Sequence, residues 1–273
     1  MEPMNFQPES RLRPVRNAEI HPTAVVSPEA RLGHNVKIGP YSVIGSQVEI
    51  GPDCEIGTSV VIEGRTTIGS NNRIYHGAII GSDPQDLKYA GETTYVEIGD
   101  NNVIREYVTI HLATGEGEKT KVGNDCLLMA YVHVAHNSSV HDHVILANAV
   151  NLAGHVDVAD WAIVGGMTPV HQFVNVGAHA FVGGGSRLAQ DVPPFIRVAG
   201  NPVEVAGVNS VGLKRRGFSD DEVSNLKRAY RLLYRTGLNV SQALDRIALD
   251  CTLDRHTEGL MAFIRRSERG IVR

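Results

Sequence analysis

Arg31-Leu32-Gly33-His34-Asn35-Val36-Lys37-Ile38-Gly39-Pro40-Tyr41-Ser42-Val43-Ile44-Gly45 is the stretch that decides how this chain folds. Leu32, Ile38 and Ile44 recur every six residues, each followed by glycine, and Val36 and Ser42 stand four places after an aliphatic residue. Followed outward, the same comb includes Ile20, Val26, Ile50, Ile56, Ile62, Ile68, Ile74 and Ile80. It resumes at Ile98, Ile104 and Ile110, and again from Val122 to Leu188. An amphipathic helix needs apolar spacings of three and four, and a half-buried strand needs a spacing of two. A period of six fits neither. It fits a chain that turns a corner every six residues, so that three flat sides close a triangular coil of 18 residues. Successive coils then stack at about the 4.8 Å spacing of paired strands.

The composition suits such a coil. Of 273 residues only 5% are aromatic, while 28 are glycine, so the core must be filled by Val, Ile, Leu and Ala. No stretch is long and apolar enough to span a bilayer. Residues 1–19 lack the apolar run of a secretory signal and read as a flexible leader. The three cysteines are scattered and odd in number, which fits a cytoplasmic protein without disulfides. A net charge of −4 speaks against a nucleic-acid partner.

Two interruptions break the comb, Ser82 to Val96 and His111 to Lys121. Insertions in a solenoid are expelled from one face as loops and often carry binding residues. The close-set charges Asp86 and Lys88 mark the first as a binding loop, and the second reads as a tolerated surface loop. After Leu188 the comb stops. Ser219 and Glu222 form a capping-box pattern, flanked by Phe218 and Val223 as a hydrophobic staple, and Gly237 ends that helix. Further helices are expected from near Ser241 and over roughly Thr257 to Ser267. The expected organisation is a leader at 1–19, a β-helix at 20–206 and an α-helical domain at 207–273.

Coil arithmetic places residue n beside residue n+18. His136 then lies against Gly154, and Gly154 against Gln172, while Asn137 lies against His155 and His133 sits just around a corner. A histidine moves protons near neutral pH. A glycine beside it leaves a backbone N–H open to an oxygen that gains negative charge. A base beside an open N–H suffices for acyl transfer when the acceptor hydroxyl or amine is itself the nucleophile. The residues alone leave other readings open. The histidines can be solvent-exposed bystanders on a structural solenoid, or ligands of a zinc enzyme resembling the γ-class carbonic anhydrases.

Longer blocks narrow the choice. Gln85-Asp86-Leu87-Lys88-Tyr89-Ala90-Gly91-Glu92, His133-x-x-His136, Leu152-Ala153-Gly154-His155 and Gly165-Gly166-Met167-Thr168-x-x-His171-Gln172-Phe173 carry a resemblance, as do Asp191-Val192-Pro193-Pro194 and Gly207-Val208-Asn209-x-x-Gly212-Leu213-Lys214-Arg215-Arg216-Gly217-Phe218. From about Ile20 to its C-terminus the chain resembles the acyl-ACP:UDP-N-acetylglucosamine O-acyltransferases, a family of hexapeptide-repeat enzymes. The resemblance implies a left-handed parallel β-helix, an exception to the usual crossover hand, with a C-terminal α-helical domain. It implies transfer of a 3-hydroxyacyl chain from acyl carrier protein to the 3-hydroxyl of UDP-N-acetylglucosamine, the opening step of lipid A synthesis. It further implies a homotrimer with active sites between subunits and no cofactor or metal.

Carried onto this chain, the resemblance makes His136 the general base, with Asn137 to orient it and the Gly154 N–H to hold the oxyanion. Asp86, Lys88, His133, His155 and Gln172 would bind the sugar and diphosphate, and Asn209, Arg215 and Arg216 the nucleotide. Gly184 and Pro202 would bear on acyl-chain length. Residues 207–273 hold 13 Lys and Arg against 8 Asp and Glu. Lys227, Arg228, Arg231 and Arg235 are therefore candidates for receiving the acidic carrier protein, or simply part of a solvated cap.

Three departures stand out. Asn137 replaces the Asp of better-known members, which predicts a shifted pH optimum and an Asn137→Asp variant of similar or higher activity. Val211 replaces an acidic residue, and Pro202 a histidine found in some long-chain members, while Gly184 matches the small residue of long-chain ones. Two enzymatic alternatives remain close. One is a 3-amino acceptor sugar. The other is the N-acyltransferase relative, which carries a uridine-binding N-terminal domain for which 19 residues are too few.

Overall fold

A computed structural model describes residues 18–273, so all but the end of the expected 1–19 leader lies outside the described residues. Strands of mostly two residues alternate with tight corners and pile into three sheets of 11, 8 and 8 strands. The result is a left-handed parallel β-helix with α-helices at its C-terminal end. Face A contains Leu127–Leu128 and Ile145–Leu146, face B His133–Val134 and Asn151–Leu152, and face C Ser139–Val140 and Asp157–Val158. Pairs such as His133 with Asn151 and Ser139 with Asp157 are 18 residues apart, the coil length read from the comb.

The inserted segments obey the same count. Arg73 pairs with Val103, an offset of 30, and Thr109 pairs with His133, an offset of 24. The excesses over 18 are 12 and 6, both multiples of the repeat, so every side chain keeps its inward or outward sense after each loop.

Two inward residues per side fill the prism. Ile44, Ile62, Val134 and Leu152 are fully buried, as are Val36, Ser42 and Val60 at the corners. Corner polar groups are satisfied internally: Ser42 donates to the Gly57 carbonyl at 2.7 Å, and Asn72 Nδ2 to the Gly99 carbonyl at 2.8 Å. Many corners require a left-handed residue. Asn137 (φ 58°), His155 (φ 60°) and Phe173 (φ 63°) form one such column between faces B and C. Bonds between coils offset the backbone strain: His155 N–H donates to the His136 carbonyl at 3.0 Å, and Phe173 N–H to the Gly154 carbonyl at 3.2 Å.

The outward faces differ in character. Face C presents Arg31, Glu49, Glu97, Lys121 and Asp157, all polar. Face B exposes Val25, Val43 and Ile79, and the corner between faces A and B exposes Tyr41, Tyr107, Tyr131 and Met167.

Beyond the last coil, Ile196–Ala199 joins face A and turns back as Glu204–Val208, so the 206/207 boundary expected from sequence falls inside a strand. Four helices follow: α1 (Ser210–Arg215), α2 (Asp220–Tyr234), α3 (Val240–Asp250) and α4 (Arg255–Arg266). The Ser219–Glu222 capping box on α2 forms as read. Asn239 caps α3 and Asp254 caps α4, two and three residues ahead of the expected starts, because each side chain reaches backbone N–H groups of the first turn. Fully buried Asp191 ties the tail to the last coil, accepting from Ser267 Oγ at 2.7 Å and from Asn175 N–H at 2.7 Å. Among the described residues no helix is long and apolar enough to cross a membrane.

Candidate active site

His136 stands at the corner between faces B and C, where its imidazole lies over the next coil. A Cβ built on Gly154 would sit 2.5 Å from His136 Nε2, so no side chain other than hydrogen leaves room for the ring. Among the described residues the Gly154 N–H has no acceptor. His136 Nδ1 is 2.9 Å from Asn137 Oδ1, and Nε2 is 4.0 Å from Asp86 Oδ2. The His155 ring meets His136 edge-on at 5.3 Å and stacks on Phe173 at 4.6 Å. Gln172 is exposed on the following coil of the same corner.

The neighbouring histidines are held neutral. His133 lies on face B with Nδ1 2.7 Å from Thr109 Oγ1 and its ring edge-on to His111 at 5.1 Å. Burial, reinforced by His111 and His136, pushes the His133 pKa down from 6.5 to about 4. Burial lowers His111 and His155 too, with His136 opposing a second positive charge in each case. The site thus surrounds its one candidate base with uncharged imidazoles, which can donate or accept hydrogen bonds without competing for the proton.

Both loops contribute, and here the sequence reading is corrected. The 112–118 segment is not a mere surface loop: Leu112 and Ala113 are buried, and Thr114 bonds directly to Asn137. The six-residue insertion keeps phase, so it delivers this segment onto the His136 coil. The first loop braces it. Glu92 accepts from Gly115 N–H at 3.0 Å and Ala90 N–H at 2.8 Å, Glu116 accepts from Thr93 N–H at 2.9 Å, and Gly117 N–H donates to the Thr93 carbonyl at 2.8 Å. The Gly115 and Ala90 amides hold the Glu92 carboxyl below its usual range. Asp86 accepts from Lys88 N–H at 3.0 Å, and the Lys88 side chain is exposed. Thr109, His111, Glu92 and Thr114 escaped the sequence reading. An offset of 24 instead of 18 across the second insertion would have pointed to Thr109.

The remaining predicted residues gather elsewhere on the chain. Asn209 is nearly buried as the cap of α1, donating to the His179 carbonyl at 3.0 Å and accepting from Gly212 N–H at 3.3 Å. With Arg215, Phe181 and Val211 it lines a cleft of about 280 Å³ beside face A. Arg216 is already engaged within the chain: its guanidinium lies 5.1 Å over the Trp161 ring and donates to His179 Nδ1 at 3.2 Å. Burial, with Arg216 beside it, takes the His179 pKa down to about 4. Gly184 stands at the corner between faces A and B, where a Cβ would lie 3.2 Å from the Gly166 carbonyl oxygen, and Pro202 is exposed in the hairpin nearby. One chain therefore unites Asp86, His133, His136, Asn137, Gly154 and His155, and keeps Asn209 and Arg215 apart from them. Among the described residues, no three or more His, Cys, Asp and Glu side chains converge to hold a metal ion.

Comparison with known proteins finds relatives over most of the chain. A family model described as UDP N-acetylglucosamine O-acyltransferase, domain 2, matches residues 191–272. The acyl-[acyl-carrier-protein]–UDP-N-acetylglucosamine O-acyltransferase of Thiobacillus denitrificans is 52% identical over 257 residues, covering 94% of this chain and all of the relative. That of Burkholderia lata is 53% identical over 259 residues, covering 93% and 99%. LpxA of Acinetobacter baumannii superposes with a TM-score of 0.89 at 42% identity, covering 93% of this chain and 99% of that one. For the UDP-N-acetylglucosamine acyltransferase LpxA of Bacteroides fragilis the TM-score is 0.91, again at 42% identity and covering 93% and 99%. With the coil count, the fold and relatives more than half identical over 93% or more of the chain in agreement, the chain belongs to the family of acyl-ACP–UDP-N-acetylglucosamine O-acyltransferases and is an acyltransferase.

Proposed function

We propose that the chain moves a 3-hydroxyacyl group from an acyl carrier protein thioester to the 3-hydroxyl of UDP-N-acetylglucosamine, with His136 as general base. Nε2 takes the hydroxyl proton as the sugar oxygen bonds to the thioester carbonyl carbon. The carbonyl oxygen becomes an oxyanion, and the Gly154 N–H donates to it. Collapse breaks the carbon–sulfur bond, and the departing thiolate receives the proton from His136. Asp86 and neutral His155 beside His136, with neutral His133 on the adjoining face, serve as hydrogen-bond partners for sugar hydroxyls, with Lys88 and Gln172 at the periphery for diphosphate and acyl carbonyl oxygens.

The observation that carries this reading is the imidazole of His136 packed against Gly154, whose N–H has no acceptor among the described residues. The separation of Asn209 and Arg215 from that corner supports nucleotide binding across subunits, with a second chain supplying the cleft beside face A. The exposed aliphatic and aromatic residues of face B and its corner with face A support a trimer packed through those surfaces, with polar face C outward. The exposed cations Lys227, Arg228, Arg231 and Arg235 on and just after α2 suit an acidic carrier protein.

The test is incubation with UDP-N-acetylglucosamine and a panel of 3-hydroxyacyl carrier proteins of increasing chain length, with products identified by mass. A product heavier than the sugar nucleotide by one 3-hydroxyacyl group is expected, and it should be absent with His136→Ala. Acylation of only the 3-amino sugar nucleotide would overturn the choice of acceptor. Turnover lost on chelation and restored by zinc would overturn the choice of base.

A further inference from the structure

Asn137 turns its carboxamide into the 112–118 segment and meets a single residue on both sides. Thr114 N–H donates to Asn137 Oδ1 at 3.0 Å, Thr114 Oγ1 donates to the same oxygen at 3.0 Å, and Asn137 Nδ2 donates to the Thr114 carbonyl at 3.0 Å. A backbone N–H can only donate and a backbone carbonyl can only accept, so the two backbone contacts identify which end of the amide is oxygen. That oxygen also lies 2.9 Å from His136 Nδ1. It carries lone pairs and no hydrogen, so the hydrogen of this contact sits on Nδ1, and the lone pair of the neutral ring sits on Nε2.

We propose that Thr114 is a positioning residue for the acyl transfer, forming with Asn137 an amide-specific clamp that holds His136 in the tautomer with a basic Nε2. The proposal rests on His136 being the base. It gives Asn137 a function that an aspartate does not duplicate here. A carboxylate would keep the contacts to Thr114 N–H and His136 Nδ1. Its second oxygen, however, would stand 3.0 Å from the Thr114 carbonyl oxygen, two acceptors without a hydrogen between them. The sequence reading expects an Asn137→Asp variant of undiminished activity. The geometry argues that it releases the 112–118 segment from the base.

The test uses the full-length protein, with Thr114→Val, Thr114→Ser and Asn137→Asp. Imidazole 15N shifts are recorded without substrates, and the His136 signals are assigned by their loss in His136→Gln. The wild-type protein should show a protonated Nδ1 and an unprotonated Nε2. Thr114→Val should lower kcat by about 10-fold or more while leaving KM for both substrates nearly unchanged. It should also move the His136 nitrogens toward a tautomer mixture, and Thr114→Ser should restore both readings. Asn137→Asp should keep Nδ1 protonated but speed amide hydrogen exchange across 112–118. The proposal is overturned by a protonated Nε2 in the wild type, by wild-type kcat and nitrogen shifts in Thr114→Val, or by unchanged exchange in Asn137→Asp. If the wild-type protein transfers no acyl group, the functional reading fails, while the nitrogen shifts and exchange rates still judge the clamp.

Discussion

The His136 imidazole occupies the space that a side chain on Gly154 would need, with Nε2 2.5 Å from the ideal Cβ position. The proposed base and oxyanion donor therefore sit on adjacent coils as one unit, set by the 18-residue stack. Gly154→Ala should push the ring away by an ångström or more and cost about 100-fold in kcat. The oligomeric state and the thermal midpoint should change little, because the displaced ring points outward. Steady-state kinetics with analytical ultracentrifugation would check this, and undiminished turnover would mean that the ring does not work from this position.

His136→Ala keeps the Gly154 N–H and removes the imidazole proposed as base. Turnover should fall about 10²–10⁴-fold, with KM for the sugar nucleotide little changed. A rise in KM with kcat intact would instead assign His136 to binding.

Acid should destabilise the fold through its neutral histidines. His133 has its pKa lowered from 6.5 to about 4, and His179 likewise to about 4, in both cases first by burial. Between those values the unfolded chain binds protons that the folded chain does not, so stability is fully present above pH 6.5 and declines as pH falls toward 4. Thermal midpoints measured across that range should drop, and His133→Asn should flatten the slope. A midpoint independent of pH there would mean that these rings titrate freely when folded.

The brace between the two loops is expected to serve binding more than stability. Glu92→Gln retains acceptance from one of the two backbone amides at Gly115 and Ala90 and loses the charge that strengthens both contacts. KM for the sugar nucleotide should rise several-fold while the melting temperature stays within a few degrees. Faster hydrogen exchange at Gly115 would accompany it, and an unchanged KM would detach the brace from substrate binding.

Much of this was legible because the fold is nearly one-dimensional. In a solenoid each coil touches only its neighbours, so residue contacts follow from adding 18, and that addition alone paired His136 with Gly154 and His155 with Asn137. Thr114 resisted the same treatment. It lies on an insertion, where contacts depend on how the loop folds back, and two of its three bonds to Asn137 are made by backbone groups common to every residue type. Asn209 and Arg215 were legible as a motif but not as a place. Their position beside face A depends on the hairpin and short helix that follow the last coil, which no repeat governs.

The amino-acid sequence by itself determined the period, the three faces and the stacking of His136 over Gly154, since hydrophobic spacing dictates which residues turn inward and strand pairing dictates what lies above them. Only the tertiary structure decided which nitrogen of His136 faces Asn137, that a supposed surface loop holds Asn137, and that the nucleotide-binding candidates lie away from it in one chain. Those depend on the directions of individual hydrogen bonds and on where non-repeating segments come to rest, and neither is encoded in a period.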